Sequence, residues 1–181
     1  MEIILSFKEY YEKTKVFVLK NVEITEVLKR GGLLTPFFKE NISLFYFKDV
    51  EQIIRDDLKI IPPSDAENHR LASQLRSTTS VSLHVRWFDP VASKSLHNIS
   101  REYYHFAIDI IEEKLESPHY FVFSDDPVKA GEMLLLSSNR ATFVTHNCGD
   151  KNAYADLWLM SQCQHYITAN STFSWWGAWL G

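Results

Sequence analysis

From Ser80 to its last residue, the chain repeats one pattern four times: a short apolar run of strand length, a polar turn, then a stretch with helically spaced apolar residues. Ser80-Val-Ser-Leu-His-Val85 precedes a helix predicted to start near Ser100 and to carry Tyr104, Ala107, Ile108, Ile111 and Leu115. Tyr120-Phe-Val-Phe123 is a continuous apolar run. Pro127 behind it suits a first helical position, and Met133 to Leu136 completes that helix. Two further units pair a strand at 141–144 with a helix at 153–163, and a strand at 165–169 with a tryptophan-rich helix. Strands and helices in strict alternation imply crossover connections, hence a Rossmann-type parallel sheet with helices on both faces, an α/β class. In such a sheet the C-terminal ends of the strands open onto one crevice, where ligands bind.

The residues following each strand are therefore the ones to inspect. They are His84-Val-Arg-Trp-Phe-Asp89, Ser124-Asp-Asp-Pro127, His146-Asn-Cys-Gly149 and Asn170-Ser-Thr-Phe-Ser174. Arg86 offers a fork of donors that suits a pyrophosphate. The Asn170 to Ser174 turn opens a helix, whose first N–H groups carry partial positive charge, and Asn170, Ser171, Thr172 and Ser174 surround it with small polar side chains. His84 with Asp125 or Asp126 suits the edge of a base. Each residue also fits a plainer role: Asp126 as a helix N-cap before Pro127, Ser171 and Ser174 as caps of the last helix, His84 as a core histidine, and Arg86 as a partner of Asp89. The adjacent Asp125-Asp126 pair supplies too few ligands for a metal, so no metal site is expected. Neither G-x-G-x-x-G nor G-x-x-x-x-G-K-[ST] occurs.

Composition narrows the classes further. A net charge of −4 without a lysine or arginine cluster argues against nucleic-acid binding by phosphate neutralisation. Cys148 and Cys163 lack C-x-x-C spacing, which points to a reduced compartment rather than a zinc site. No stretch approaches the roughly 18 apolar residues of a membrane span, and the first residues do not read as a secretion signal.

The segment before the repeats is less regular. Residues 15–24 fit strand and helix equally, Gly31-Gly32 and Pro36 mark a loop, and Leu44-Phe-Tyr-Phe47 is apolar. Val50, Ile53, Ile54 and Leu58 form a helical stripe ending before Pro62-Pro63, and Ser64 with Glu67 reads as a capping box for a helix through Leu71 and Leu75. The expected division is a partial N-terminal segment over 1–63 and a ligand-binding domain over 64–181. The last helix places Phe173, Trp176 and Leu180 on one side and Trp175 and Trp179 on another, so cover on both sides and further chain beyond Gly181 are expected.

Taken in order, His84-Val-Arg86 with Asp89, Tyr103-Tyr104, Phe121-Val-Phe-Ser-Asp-Asp-Pro127, Ala153-Tyr-Ala-Asp-Leu157, Leu159-Met-Ser-x-Cys163 and 169–180 (Ala-Asn-Ser-Thr-Phe-Ser-Trp-Trp-Gly-Ala-Trp-Leu) resemble the alpha-1,2-fucosyltransferase family, glycosyltransferase family 11. The resemblance is strong over 80–181 and extends weakly back to about residue 43. It implies the donor-binding half of a GT-B-like enzyme that transfers L-fucose from GDP-fucose to the 2-hydroxyl of a galactoside, inverting and metal-independent. Its partners would be GDP-fucose, needing no further cofactor, and a galactose-terminated glycan. Arg86 would hold the pyrophosphate, His84 and Asp125 or Asp126 would sit by the guanine, Asn170, Ser171, Thr172 and Ser174 would line the phosphates, and Asp89 is a candidate base. Relatives of this kind act as cytoplasmic or membrane-surface bacterial enzymes, or as anchored Golgi enzymes. Three features depart from the family pattern, one being that the family is expected to continue through a further strand and helix beyond Gly181. The second arginine of H-x-R-R-x-D is Trp87, and Gly31-Gly32-Leu33-Leu34 stands in place of a Gly-Gly-Leu-Gly-Asn-Gln stretch. A nucleotide-sugar-binding module without transferase activity is the alternative.

Overall fold

The computed structural model describes residues 3–5, 18–19, 51–88 and 98–181. Its strands are β1 (Ile3–Leu5), β2 (Val18–Leu19), β3 (Ser80–Val85), β4 (His119–Ser124), β5 (Ala141–Phe143) and β6 (His165–Ile167). Its helices are α1 (Glu51–Asp57), α2 (Ala66–Ser77), α3 (Arg101–Lys114), α4 (Pro127–Leu134), α5 (Ala153–Met160) and α6 (Thr172–Leu180), with a 3-10 turn at Asp150–Asn152. The four predicted strand–helix units are therefore present, with boundaries shifted by a few residues. The loop at 31–36, the apolar run at 44–47 and Asp89 lie outside the described residues.

The strands form one sheet in the order β2-β1-β6-β3-β4-β5. β6, β3, β4 and β5 are mutually parallel, β1 runs parallel to β6, and β2 is antiparallel to β1. This is a Rossmann-like arrangement: the chain steps outward from β3 through β4 to β5, then returns to lay β6 on the other side of β3. The order reverses between β3 and β6, so their C-terminal ends flank a topological switch point.

β3 shows why the sheet is covered on both faces. Its side chains alternate between Val81, Leu83 and Val85, which join the core built with α3 and α4, and Ser80, Ser82 and His84, which face the other side. On that second side, Phe121, Phe123 and Tyr166 pack with Leu71, Ala72 and Leu75 of α2, Trp158, Leu159 and Met160 of α5, and Ala178 of α6. All six residues of β3 are buried, as a central parallel strand requires.

Three expectations need correction. The N-cap of α2 is Asp65, not Ser64: its Oδ1 accepts from the Asn68 backbone N–H at 2.9 Å, while Glu67 turns outward to pair with Arg70. A carboxylate already in the right place satisfies the orphan amide better than a hydroxyl one residue earlier. The apolar stripe of α1 is not buried among the described residues, with Ile53 60% and Leu58 43% exposed, and Val50 lies outside them. Instead α1 meets α6 through Arg55, whose guanidinium lies 4.3 Å from the centre of the Trp179 ring. Finally, α6 turns its small residues inward: Ser174, Gly177 and Ala178 are buried, and a Cβ on Gly177 would come within 3.0–3.3 Å of the Met160 side chain. Close approach of α5 and α6 selects small residues at the contact, leaving Trp175, Trp176 and Trp179 half-buried against one another.

Two tyrosines of α3 hold the switch point together. The β3–β6 pairing ends at Leu83 opposite Ile167, and just beyond it Tyr104 donates to the His84 carbonyl at 3.1 Å while Tyr103 donates to the Thr168 carbonyl at 2.8 Å. Both rings are fully buried and meet edge to face at 5.1 Å. Burial pushes the Tyr104 phenol well up from its ordinary value, so it stays a donor at any physiological pH. Because Tyr104→Phe leaves a buried carbonyl short of a partner, we predict a loss of about 1–3 kcal/mol in urea unfolding. An unchanged midpoint would show that this carbonyl finds another donor.

Candidate functional site

The C-terminal ends of β3 and β6 carry Arg86 and Asn170, each three residues past the last paired positions Leu83 and Ile167, so the two leave the sheet at the same level on neighbouring strands. The β3–β4 register runs two pairs further, to Val85 opposite Ser124, and brings Arg86 beside Asp125. There Arg86 Nη1 donates to Asp125 Oδ2 at 2.6 Å, and the Trp87 backbone N–H donates to Asp125 Oδ1 at 3.0 Å. One carboxylate thus fixes both the direction of the guanidinium and the exit of the chain from β3. The Arg86 guanidinium also lies 5.5 Å from the Phe88 ring centre, and its side chain is 43% exposed. Its Nε and Nη2 donors are not used in the Asp125 contact.

The sequence alone left the partner of Arg86 between a ligand and Asp89; among the described residues that partner is Asp125. Asp125 is consequently occupied in aiming Arg86 and Trp87. Asp126 is the N-cap of α4, accepting from the Lys129 backbone N–H at 3.1 Å, and its Oδ2 lies 2.7 Å from Lys129 Nζ. These hydrogen bonds from Lys129 hold the Asp126 carboxyl below the usual carboxylate range. Both aspartates are thus engaged by neighbours in this structure, and neither presents an unoccupied carboxylate to a base.

Across the switch point, Ser171 caps α6 by accepting from the Phe173 N–H at 3.3 Å. Ser174 is fully buried and its hydroxyl turns back toward the Ala169 carbonyl at 3.3 Å and the Ser171 carbonyl at 3.1 Å. Ser174 therefore shapes the turn rather than lining a crevice, because its only proton is directed at the backbone. Thr172 at the first helical position is exposed, and Asn170 and Ser171 are half-buried.

His84 joins the two halves. Its ring packs on Phe173 of the first turn of α6, with centres 5.7 Å apart, and it is 5% exposed. Burial, then the positive charge of Arg86, push its pKa down to about 3, so the imidazole is neutral at physiological pH. Nδ1 is buried and has no hydrogen-bond partner among the described residues. The His84 Nδ1 therefore departs from the satisfied core histidine that its place on an apolar strand suggests, because buried polar atoms are normally paired.

A second polar assembly at the β5 side of the rim was not foreseen. Asn68 and Asn147 exchange two side-chain hydrogen bonds, at 2.8 and 2.9 Å, and the pair is extended by Asp65, His146 and Asp156. It ties the start of α2 to the β5–α5 loop and the first turn of α5. Asp156, pushed up to about 6 by burial, is partly offset by the Asn147 amide. The available signal was Asn68, a polar residue on the inward stripe of α2. Among the described residues no group of three or more His, Cys, Asp or Glu side chains is gathered to hold a metal ion. No helix among them is long and apolar enough to cross a membrane. Both cysteines are free; Cys163 is buried and Cys148 exposed.

Fold and rim together define a Rossmann-like α/β sheet with an aimed arginine and a polar helix start on opposite sides of its switch point. The sequence pattern of glycosyl transferase family 11 matches residues 22–181, and the chain belongs to that family. It is 37% identical over 117 residues to an alpha-1,2-colitosyltransferase of Escherichia coli, covering 61% of this chain and 39% of that protein. It is 39% identical over 186 aligned positions to the O-antigen biosynthesis glycosyltransferase WbnK of Escherichia coli, covering 98% of this chain and 59% of that one. The chain thus spans between about two fifths and three fifths of the length of these curated relatives. No solved structure matches it significantly.

The neutral, buried state of His84 has a consequence for stability. With the folded pKa near 3 and an unfolded value near 6.5, the unfolded chain binds the extra proton between those limits, so His84 lowers stability as pH falls through that window. Asp156 works in the opposite sense below about pH 6, so the comparison must be differential. We predict that unfolding free energy between pH 6 and pH 4 falls more steeply in the wild type than in His84→Gln, by up to about 1.4 kcal/mol per pH unit. Parallel denaturation curves would show that His84 is not held neutral.

Proposed function

We propose that this chain is the donor-binding part of an inverting glycosyltransferase that moves L-fucose from GDP-fucose to the 2-hydroxyl of a galactoside without a metal. The observation that carries this reading is the pairing of Arg86 with Asp125 at the end of β3, level with the Asn170–Thr172 turn that opens α6. A diphosphate suits a fork of N–H donors on one side and small polar groups at a helix start on the other, and this rim offers both.

In this reading the spare donors of Arg86 bind the pyrophosphate, and the start of α6 with Asn170, Ser171 and Thr172 takes the remaining oxygens. Neutral His84 offers its unsatisfied Nδ1 to the nucleotide. Asp125 and Asp126 serve the donor by holding Arg86 and the start of α4. The chemical step is attack of the acceptor oxygen on the anomeric carbon as its bond to GDP breaks, with inversion. The growing charge on the departing diphosphate is met by groups already in place, which is where electrostatic catalysis acts. A base must take the acceptor proton, and Asp89, which follows β3 in the sequence, is the candidate for it. The colitosyltransferase relative supports the α-1,2 linkage more directly than it supports fucose as the sugar. Both relatives are bacterial, which favours a bacterial-type enzyme of the cytoplasm or the membrane surface.

The rival is a nucleotide-sugar-binding module without transfer, favoured by Trp87 in place of the second arginine. Transfer of radiolabelled fucose to lactose separates the two readings, since the module binds GDP and transfers nothing. For the site itself, Arg86→Ala removes a charge-assisted contact worth about 1.5–3 kcal/mol. We predict a loss of about ten- to a hundredfold in GDP affinity by calorimetry. Unchanged affinity rejects the assignment of Arg86.

A further inference from the structure

Lys129 stands on the first turn of α4 with its side chain 61% exposed, and two contacts fix where its ammonium goes. Nζ lies 2.7 Å from Asp126 Oδ2, and it lies 5.8 Å from the centre of the Trp87 ring. Trp87 is the residue next to Arg86, and its backbone N–H is held by the same Asp125 carboxylate that aims Arg86. Asp126 first, and Asp125 to a lesser degree, raise the Lys129 ammonium above its ordinary value, and Asp125 also holds Arg86. Arg86, Trp87, Asp125, Asp126 and Lys129 are therefore one contiguous assembly at the C-terminal ends of β3 and β4.

We propose that Lys129 is the second cation of the donor site, a phosphate-binding residue that restores from α4 the positive charge missing at position 87. The inference rests on the site reading given above and extends it. A nucleoside diphosphate carries more negative charge than one guanidinium offsets, above all a guanidinium already paired with Asp125. At position 87 the chain places an indole, which cannot supply charge but presents an aromatic face that steadies an ammonium. Asp126 performs for Lys129 what Asp125 performs for Arg86: each carboxylate holds its cation beside the rim. An ammonium is a compact point charge on a flexible stem, so it follows the phosphates without the fixed geometry of a guanidinium.

The test is a charge series at one position, read by calorimetry with GDP and with guanosine. Lys129→Arg should keep GDP affinity within about twofold, Lys129→Met should lose about three- to tenfold, and Lys129→Glu should lose more. Guanosine, which lacks phosphates, should bind all four proteins alike, and the GDP differences should shrink in 0.5 M NaCl, where exposed charges are screened to about 3–5 Å. Lys59→Ala, an exposed lysine outside the assembly, controls for net charge, and thermal melts control for loss of the α4 cap. If Lys129→Met and Lys129→Glu bind GDP as the wild type does while Arg86→Ala weakens it, the Lys129 proposal is overturned and the site stands. If Arg86→Ala also leaves GDP binding unchanged, or the wild type binds no GDP, the site reading falls and the proposal with it. Equal losses for GDP and guanosine would assign Lys129 a structural role and overturn the proposal too.

Discussion

The two hydroxyl-to-carbonyl bonds from Tyr103 and Tyr104 are the constraint on which the rest of the rim depends. At a switch point neighbouring strands part company, and the carbonyls just past the last ladder bond face a low-dielectric core with no strand partner. Here those are the carbonyls of Thr168 and His84, and α3 covers both from adjacent positions of one helix. The bonds fix how far β3 and β6 splay, and that spacing sets the separation of Arg86 from the Asn170–Thr172 turn. Two long phenols can do this only because their rings fill the core built on α3, so the polar tie and the packing are one feature.

Charge at the rim is arranged in alternation. Arg86 sits on Asp125 and Lys129 on Asp126, so the rim carries paired rather than clustered charges. Exposed pairs of this kind contribute little to stability, on the order of 0–1 kcal/mol each. Their value lies in geometry: each carboxylate holds its cation at a set place, and in the proposed reading the donors not used on carboxylates serve phosphate. Neutral His84 fits the same logic, because a third positive charge buried between β3 and α6 would be costly in solvation and would repel Arg86.

Much of the fold was legible because the strand–helix alternation after Ser80 is regular and each strand's burial follows from its apolar run. The membership of the family was legible too, from ordered local motifs that survive as strand ends and helix starts. Less visible were features decided by tertiary contact. A sequence shows that Trp175, Trp176 and Trp179 are large and apolar, but only the approach of α5 to α6 shows that Gly177 and Ala178 take the inner side. Likewise Asp125 and Arg86 are 39 positions apart, and it is the β3–β4 register that makes them partners. Ser174 looked like one more phosphate ligand until its hydroxyl was seen directed at the turn backbone. Lys129 carried no motif signal, since an isolated lysine in a first turn of a helix is ordinary; the contact with the Trp87 ring is what singles it out.

The central claim is spatial: β3 and β6 end in one crevice that receives a nucleoside diphosphate. An NMR titration with GDP tests it most directly, following the Arg86 Nε–H and the backbone amides of Ser171 and Thr172 together. The account predicts that these signals shift in step, saturating at one shared affinity, while amides at the far ends of the strands, such as Val81 and Tyr120, stay in place. Shifts at Arg86 without any at Ser171 and Thr172, or the reverse, would mean the two strand ends do not share a ligand, and the account would be wrong.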